Sequence, residues 1–180
     1  MQISYWLLIL MISFIWMILR IRIWLINKRI DLKREVQLLL VYICIVVVVR
    51  FTFFPFSKVD GQIQPLILDT AKMFPPRVNF LPFVYLFDYP TKREILLNVI
   101  GNTAMFIPLG IVWPTVFRAL NTHKSVIAAG FGCSFCIELL QLPFFDRVSD
   151  IDDLIMNTVG YLAGYAILHC VRNCRQRSKS

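Results

Sequence analysis

The sequence predicts an all-α integral membrane protein, built as a bundle of about five transmembrane helices. Of its 180 residues, 58% are hydrophobic and 17% are charged. In soluble domains about 45–50% of the residues are apolar and about 25% are charged. The mean hydropathy is +0.67, and the apolar residues gather into stretches long enough to cross a bilayer. Intrinsic disorder is excluded by this composition. The five cysteines are an odd number within apolar segments, which argues against a secreted disulfide scaffold.

Each apolar stretch is expected to be a helix, because lipid offers the backbone no hydrogen-bond partner. The first has no charge and would be about 26 Å long as a helix. It can extend to Ile26 if Arg20 and Arg22 place their charged ends among the headgroups. It lacks the basic start and small-residue cleavage site of a signal peptide, so we expect a true helix there. The five stretches are Ile3–Leu19, Val36–Phe54, Ile95–Phe117, Ser125–Phe144 and Leu154–Val171.

A long segment rich in proline and aromatic residues, Pro55–Glu94, separates the second and third stretches. Long loops in compact proteins are usually functional or disordered, and the apolar content of this one argues against disorder. Two structures remain open for it. It either lies against the membrane as an interfacial or re-entrant element, or packs over the helix ends.

The basic residues indicate the topology. Twelve of the 19 Lys and Arg residues fall in the first and third loops and the C-terminal tail, and six in the alternate segments. The positive-inside rule places the first set in the cytoplasm, so the N-terminus is expected outside and the C-terminus inside. Eight of the 11 acidic residues fall on the outer side. Because the basic residues follow membrane topology and not one folded face, we expect no nucleic-acid partner.

This topology brings the polar residues of the apolar stretches to the outer ends of the helices. Asn98 and Asn102 are four residues apart, and Glu138 and Gln141 three apart, so each pair shares a helix face. Intramembrane polar residues indicate function by default. The predicted binding residues are Arg50, Asn79, Asn98, Asn102, Glu138, Gln141, Arg147, Asp150, Asp153 and Asn157.

A buried acid in a membrane needs a partner, and we expect Glu138 to pair with Arg50, with Arg147 as the competing partner. Such a pair would either serve a ligand or only fix the register of the helices. Gly160 and Gly164 form a small-xxx-small face, which predicts close packing of the fifth helix against another helix.

Four sequence elements resemble the signatures of VanZ-like membrane proteins. Asn98–Gly110 is similar to their N-x-x-G-N-x-x-x-F-x-P-x-G element, and Ile137–Gln141 to I-E-x-x-Q. Arg147–Gly160 resembles R…D-x-D-D-x-x-x-N-x-x-G, although Val148 and Ser149 stand where the family more often has an aromatic residue before the Asp. Val78–Phe83 resembles a V-N-x-x-P-F element. The resemblance covers roughly residues 36–168.

The resemblance implies a multi-pass protein of the bacterial cytoplasmic membrane, and some members of the family raise resistance to the glycopeptide teicoplanin. We divide the chain into a first helix with its basic loop (1–35), a VanZ-like membrane domain (36–171) and a basic cytoplasmic tail (172–180).

Our principal functional hypothesis is a non-enzymatic protein of the cell envelope. Its outer-facing polar pocket would bind a lipid headgroup, a lipid-linked cell-wall precursor or a glycopeptide. Arg50 and Arg147 would contact phosphate or carboxylate groups. Membrane lipid is the expected partner, no cofactor is expected, and the oligomeric state is left open.

Two alternatives belong to other classes. In a membrane-embedded enzyme acting on a lipid-linked phosphate, Glu138 would be the general base, and Asp150 and Asp153 would be weak candidates for a divalent cation. A purely structural explanation of these acidic residues is that an Asp at this position caps the fifth helix. In a scaffold for envelope assembly, Gly160 and Gly164 would instead form the contact face.

Overall fold

The computed structural model describes residues 1–54, 61–69, 77–84, 91–120 and 122–178. Within these ranges it contains five long helices, and all five are long and apolar enough to cross a membrane. The predicted all-α membrane bundle is therefore confirmed. The helices are α1 (Tyr5–Asn27), α2 (Leu32–Phe53), α3 (Lys92–Val116), α4 (His123–Gln141) and α5 (Ile151–Arg177).

Each helix begins at a residue whose side chain accepts a hydrogen bond from the first turn, and these N-caps set the starts. The N-caps are Ser4, Asp31, Thr91, Thr122 and Asp150. The fifth helix is longer than its apolar stretch and includes most of the basic tail predicted at 172–180. No Gly or Pro interrupts the chain between Gly164 and Ser178, so nothing ends the helix earlier.

The third and fifth helices form the centre of the bundle, with α4 packed on α5 and α2 on α3. The fully buried side chains at this centre include Phe106, Leu109 and Tyr161. The first helix lies at the periphery, against α2, and has no buried residue. Its side chains are therefore available to lipid.

Glycines allow the close approach of α3 and α5. A Cβ atom added to Gly160 would lie 2.0 Å from the carbonyl oxygen of Thr103. One added to Gly164 would lie 2.1 Å from the carbonyl oxygen of Ile107. The face predicted from Gly160 and Gly164 is thus in backbone contact with α3, at a distance that no larger residue permits.

Short strand pairs cover one end of the bundle. Strand β1 (Gln2–Ile3) pairs antiparallel with β2 (Leu66–Ile67), and β3 (Val78–Asn79) pairs parallel with β4 (Ser149–Asp150). The described parts of the long loop thus form these short pairs with the N-terminus and with the segment before α5. The rest of the predicted loop, residues 55–60, 70–76 and 85–90, lies outside the described residues.

The two ends of the bundle differ in character. We call the end with the strand pairs and the start of α5 the polar end. The opposite end, which we call the basic end, contains the turn between α1 and α2, the link between α3 and α4, and the last turns of α5. There Arg34, near the start of α2, donates to the backbone carbonyl of Val116, the last residue of α3, and so joins these two helices.

Candidate functional site

The predicted polar residues lie at the polar end, where they divide into two groups with different partners. We call Arg50, Gln141 and Arg147 the α2 cap, because their side chains donate to the last carbonyls of α2. We call Glu138, Asp150, Asp152 and Asp153 the carboxylate cluster, which surrounds the start of α5.

Gln141 and Arg147 hold the end of α2 from the other side of the bundle. Gln141 Nε2 donates to the carbonyl of Thr52 at 2.7 Å. Arg147 donates to the carbonyl of Phe53 through Nη2 at 2.7 Å and Nε at 3.1 Å. A helix leaves its last four carbonyls without an intrahelical donor, and in lipid each unsatisfied group is costly. Gln141 and Arg147 therefore donate hydrogen bonds to carbonyls at the end of α2 that have no intrahelical donor.

The environment of Arg147 is partly buried, and this burial lowers the pKa of its guanidinium, opposed by the nearby charges of Asp146 and Asp153. An arginine remains protonated in such an environment. Arg147 thus brings a fixed positive charge to the negative end of the α2 dipole.

The third member of the cap, Arg50, donates from Nη1 to the carbonyl of Phe54 at 3.3 Å. Its guanidinium also lies over the rings of Tyr5 and Phe51, 5.7 and 5.4 Å from their centroids. Within the described ranges the ion pair present is the one between Arg20 and Glu35. The predicted ion pair of Glu138 with Arg50, or with Arg147, is therefore wrong; Glu138 instead accepts a hydrogen bond from the backbone amide of Asp150.

The carboxylate cluster binds backbone and amide N–H groups. Glu138 Oε2 accepts a hydrogen bond from the amide of Asp150 at 2.8 Å. Asp150 Oδ1 in turn accepts from the amide of Asp152 at 2.9 Å, which makes Asp150 the N-cap of α5. The same oxygen accepts from Asn79 Nδ2 at 3.1 Å. One chain of hydrogen bonds thus joins α4, α5 and β3.

Asp152 fixes the segment that follows β3. Its two carboxylate oxygens accept from the amide of Phe83 at 2.9 and 3.1 Å. Asn79 Oδ1 accepts from the amide of Leu81 at 3.1 Å. Residues 77–84 are therefore positioned by three polar side chains, Asn79, Asp150 and Asp152.

The asparagines of α3 contact the cluster from its other side. Asn102 Nδ2 donates to Asp153 Oδ1 at 2.6 Å and to Asn98 Oδ1 at 3.2 Å. Asp153 also interacts electrostatically with Arg147, which connects the cluster to the α2 cap. The predicted convergence of α3, α4 and α5 is seen at these residues.

Asn157 lies deeper in the bundle, one to two turns into α5. Its Nδ2 donates to Ser134 Oγ at 3.0 Å. Its Oδ1 is buried and has no hydrogen-bond partner among the described residues, and the same is true of Gln141 Oε1 and of the Tyr161 hydroxyl. Ser134, Asn157 and Tyr161 thus bring polar atoms into the fully buried interior of the bundle.

A groove of about 690 Å³ opens beside the cluster. It joins polar groups of Arg77, Asn79 and Asp150 to apolar side chains, and Phe80, Leu81 and Val148 are exposed there. Arg77 Nη1 donates to the carbonyl of Phe145 at 3.0 Å, and its guanidinium lies 5.6 Å from the Phe145 ring centroid. We call this the Arg77 groove; its lining residues are Arg77, Val78, Asn79, Phe80, Leu81, Val148 and Asp150.

The arrangement can bind amphiphilic molecules, since a guanidinium, an amide and a carboxylate stand next to exposed apolar side chains. Three or more His, Cys, Asp or Glu side chains arranged to hold a metal ion are found nowhere in the described residues. Asp150 and Asp153 are engaged with Asn79 and Asn102, respectively.

Sequence reasoning missed two residues of this site. Arg77 and Asp152 are not among the predicted binding residues. Arg77 directly precedes the V-N-x-x-P-F element. Asp152 leaves the helix face shared by Asp150 and Asp153, and this different direction brings it to Phe83. The proximity of both to the site depends on the pairing of β3 with β4, which joins residues 71 positions apart.

Five apolar helices with a polar network at one end define a multi-pass helical membrane protein. The VanZ/LLP1 family model matches residues 39–172. The chain therefore belongs to the VanZ/LLP1 family. Comparisons with curated proteins and with solved structures gave no match.

Proposed function

We propose that this VanZ-family protein resides in the bacterial cytoplasmic membrane, as part of the cell envelope, with its polar end facing outward. The Arg77 groove there binds the polar head of an amphiphile. The candidate ligands are a lipid headgroup, a lipid-linked cell-wall precursor and a glycopeptide, and teicoplanin resistance is the cellular effect expected from binding the last two.

The observation that carries the proposal is the composition of the groove. Arginine recognises phosphate and carboxylate through parallel N–H groups, and one nitrogen of Arg77 is used for the Phe145 carbonyl. Phe80, Leu81 and Phe83 are exposed beside it, with exposed fractions of 74%, 59% and 50%. Exposed apolar side chains next to a cation suit a ligand with a charged head and an apolar tail.

The carboxylate cluster then has a positioning role. Glu138 holds the Asp150 amide, Asp150 holds Asn79, and Asp152 holds Phe83. These bonds fix the walls of the groove, and preorganised walls reduce the entropy lost on binding. We assign Glu138 to positioning and not to catalysis, because one of its oxygens is used for a structural bond to the backbone.

The orientation follows from charge. The basic end contains the turn between α1 and α2 and the C-terminal part of α5, where most Lys and Arg residues fall. The positive-inside rule favours this end in the cytoplasm. The Arg77 groove would then face the side on which glycopeptides and exported cell-wall precursors are found.

The binding test uses protein reconstituted in lipid nanodiscs, with teicoplanin, an undecaprenyl-diphosphate-linked precursor and phosphatidylglycerol as separate probes. We expect saturable binding of at least one probe, and Arg77→Gln should weaken it about tenfold, because charge-assisted hydrogen bonds contribute about 1.5–3 kcal/mol. Arg93→Gln is the matched control, since Arg93 is exposed in the first turn of α3, at the same end and outside the groove.

Two results would refute this assignment. One is the absence of saturable binding for all three probes. The other is an equal effect of Arg77→Gln and Arg93→Gln. Turnover of the lipid-linked probe that is lost in Glu138→Gln would instead establish an enzyme.

A further inference from the structure

A second cavity lies at the basic end, far from the Arg77 groove. It has a volume of about 1080 Å³ and is bounded by the last turns of α1, the first turns of α2 and Phe117 beyond the end of α3. A neighbouring cavity of about 620 Å³ shares Asp31, Arg34 and Phe117 with it. We call the two together the basic groove.

Positive charge dominates the lining of the basic groove. Its acidic side chains are already engaged. Asp31 caps α2 by accepting from the amide of Arg34 at 3.3 Å, and Glu35 forms an ion pair with Arg20. The cationic side chains that line the basic groove are Arg20, Arg29, Lys33, Arg34 and Arg118.

Aromatic contacts hold two of these cations in place. The guanidinium of Arg34 donates to the Val116 carbonyl and lies 5.8 Å from the Phe117 ring centroid. That of Arg20 lies 6.0 Å from the ring centroid of Trp24. Tryptophan and basic residues near helix ends are typical of the headgroup level of a bilayer, so we expect this groove at the height of the lipid phosphates.

The basic groove is also accessible from the membrane. The first helix has no buried residue, and Ile23 and Ile30, which line the groove, are 40% and 61% exposed. An acyl chain attached to a headgroup in the groove can therefore continue along the apolar surface of α1.

We propose that the basic groove binds the phosphodiester headgroup of an anionic phospholipid. The charge of the lining selects an anion, and guanidinium groups match phosphate oxygens in geometry. The exposed apolar surface beside it favours a phosphate that carries acyl chains over a free phosphate ion. Basic pockets between helices at the cytoplasmic side suit such headgroups.

The test measures equilibrium binding of labelled phosphatidylglycerol to the full chain in detergent, with phosphatidylcholine and inorganic phosphate as competitors. Each cation removed near a membrane surface should weaken binding about fivefold. Arg29→Gln and Lys33→Gln are suitable variants, since both residues are exposed at the surface. Arg175→Gln in α5 is the matched control, because it removes one charge at the same end and outside the groove.

Tight phosphatidylglycerol binding that phosphatidylcholine does not displace, and that Arg29→Gln and Lys33→Gln weaken more than Arg175→Gln, would support the proposal. Equal binding of the two lipids would overturn it, as would displacement by millimolar inorganic phosphate. Loss of phosphatidylglycerol binding in Arg77→Gln but not in Arg29→Gln would also overturn it, while leaving the Arg77 groove as a binding site. The two proposals can therefore fail separately.

Discussion

The contact of α3 with α5 allows a sharp test of how the bundle is held together. In Gly160→Ala the added Cβ would meet the Thr103 carbonyl oxygen at 2.0 Å. Ordinary contact begins near 3.4 Å, so the helices must separate by about 1.4 Å to restore it. The obstacle is backbone and not a flexible side chain, so the strain cannot be relieved by a rotamer change.

Overpacking of this kind costs about 1–3 kcal/mol, and we expect the free energy of unfolding of Gly160→Ala to lie below that of Gly132→Ala by this amount. Unfolding is measured by titration with sodium dodecyl sulfate, with tryptophan fluorescence as the signal. Trp113 of α3 is a suitable reporter, because its ring centroid lies 6.1 Å from that of Tyr161 in α5.

Gly132→Ala is the matched control, since a Cβ there has nothing within 4 Å. Both variants change one helical glycine to alanine, so the difference in helix propensity, about 1 kcal/mol, is common to the two. Equal stability of Gly160→Ala and Gly132→Ala would refute the account of close backbone packing.

Three further predictions concern the polar end and its orientation. Asp146→Cys should react with an impermeant thiol reagent in intact cells, whereas the exposed native Cys170 and Cys174 should react only after permeabilisation; the reverse pattern would invert the topology. Glu138→Ala should destabilise the protein by about 1–3 kcal/mol in thermal unfolding, because the part-buried Asp150 amide loses its acceptor. Glu138→Gln keeps an acceptor oxygen and should cost less, so equal losses would contradict the role given to Glu138. Arg147→Met should cost about 1.5–3 kcal/mol, because it removes the charge-assisted hydrogen bonds to the Phe53 carbonyl at the end of α2, and an unchanged midpoint in dodecyl sulfate would contradict this role of Arg147.

The sequence determines the helices well, because bilayer thickness and backbone hydrogen bonding leave few alternatives for a long apolar stretch. Helix ends were less predictable. The helices capped by Asp31 and Thr91 begin four and three residues, respectively, before the predicted apolar stretches. A charged first turn can belong to a membrane helix if it lies at the level of the lipid headgroups.

The partners of the polar residues were harder to predict. Opposite charge predicts that Arg50 pairs with Glu138. In the structure, Arg50 and Arg147 donate to backbone carbonyls at the end of α2. Glu138 in turn accepts a hydrogen bond from the Asp150 amide. Helix ends supply unsatisfied groups that pairing rules based on charge do not count.

The Arg77 groove could not be predicted at all from helix periodicity. It depends on the parallel register of Val78 with Ser149 and of Asn79 with Asp150. These pairs join a loop to the start of α5 across most of the family-matched region. In the sequence, the polar side chains of Asn79 and Asp150 were the only indication that the two segments meet.

The most direct test of the central claim is photocrosslinking within the Arg77 groove. Benzoylphenylalanine replaces Phe80, which is 74% exposed in the groove, or Phe135, which is 45% exposed on α4 and outside it. After irradiation with teicoplanin or the undecaprenyl-diphosphate-linked precursor, mass spectrometry identifies the adducts. We predict an adduct of at least one ligand at position 80 and none at position 135. Equal labelling of both positions would contradict the account, as would the lack of an adduct at position 80 with either ligand together with the lack of saturable phosphatidylglycerol binding.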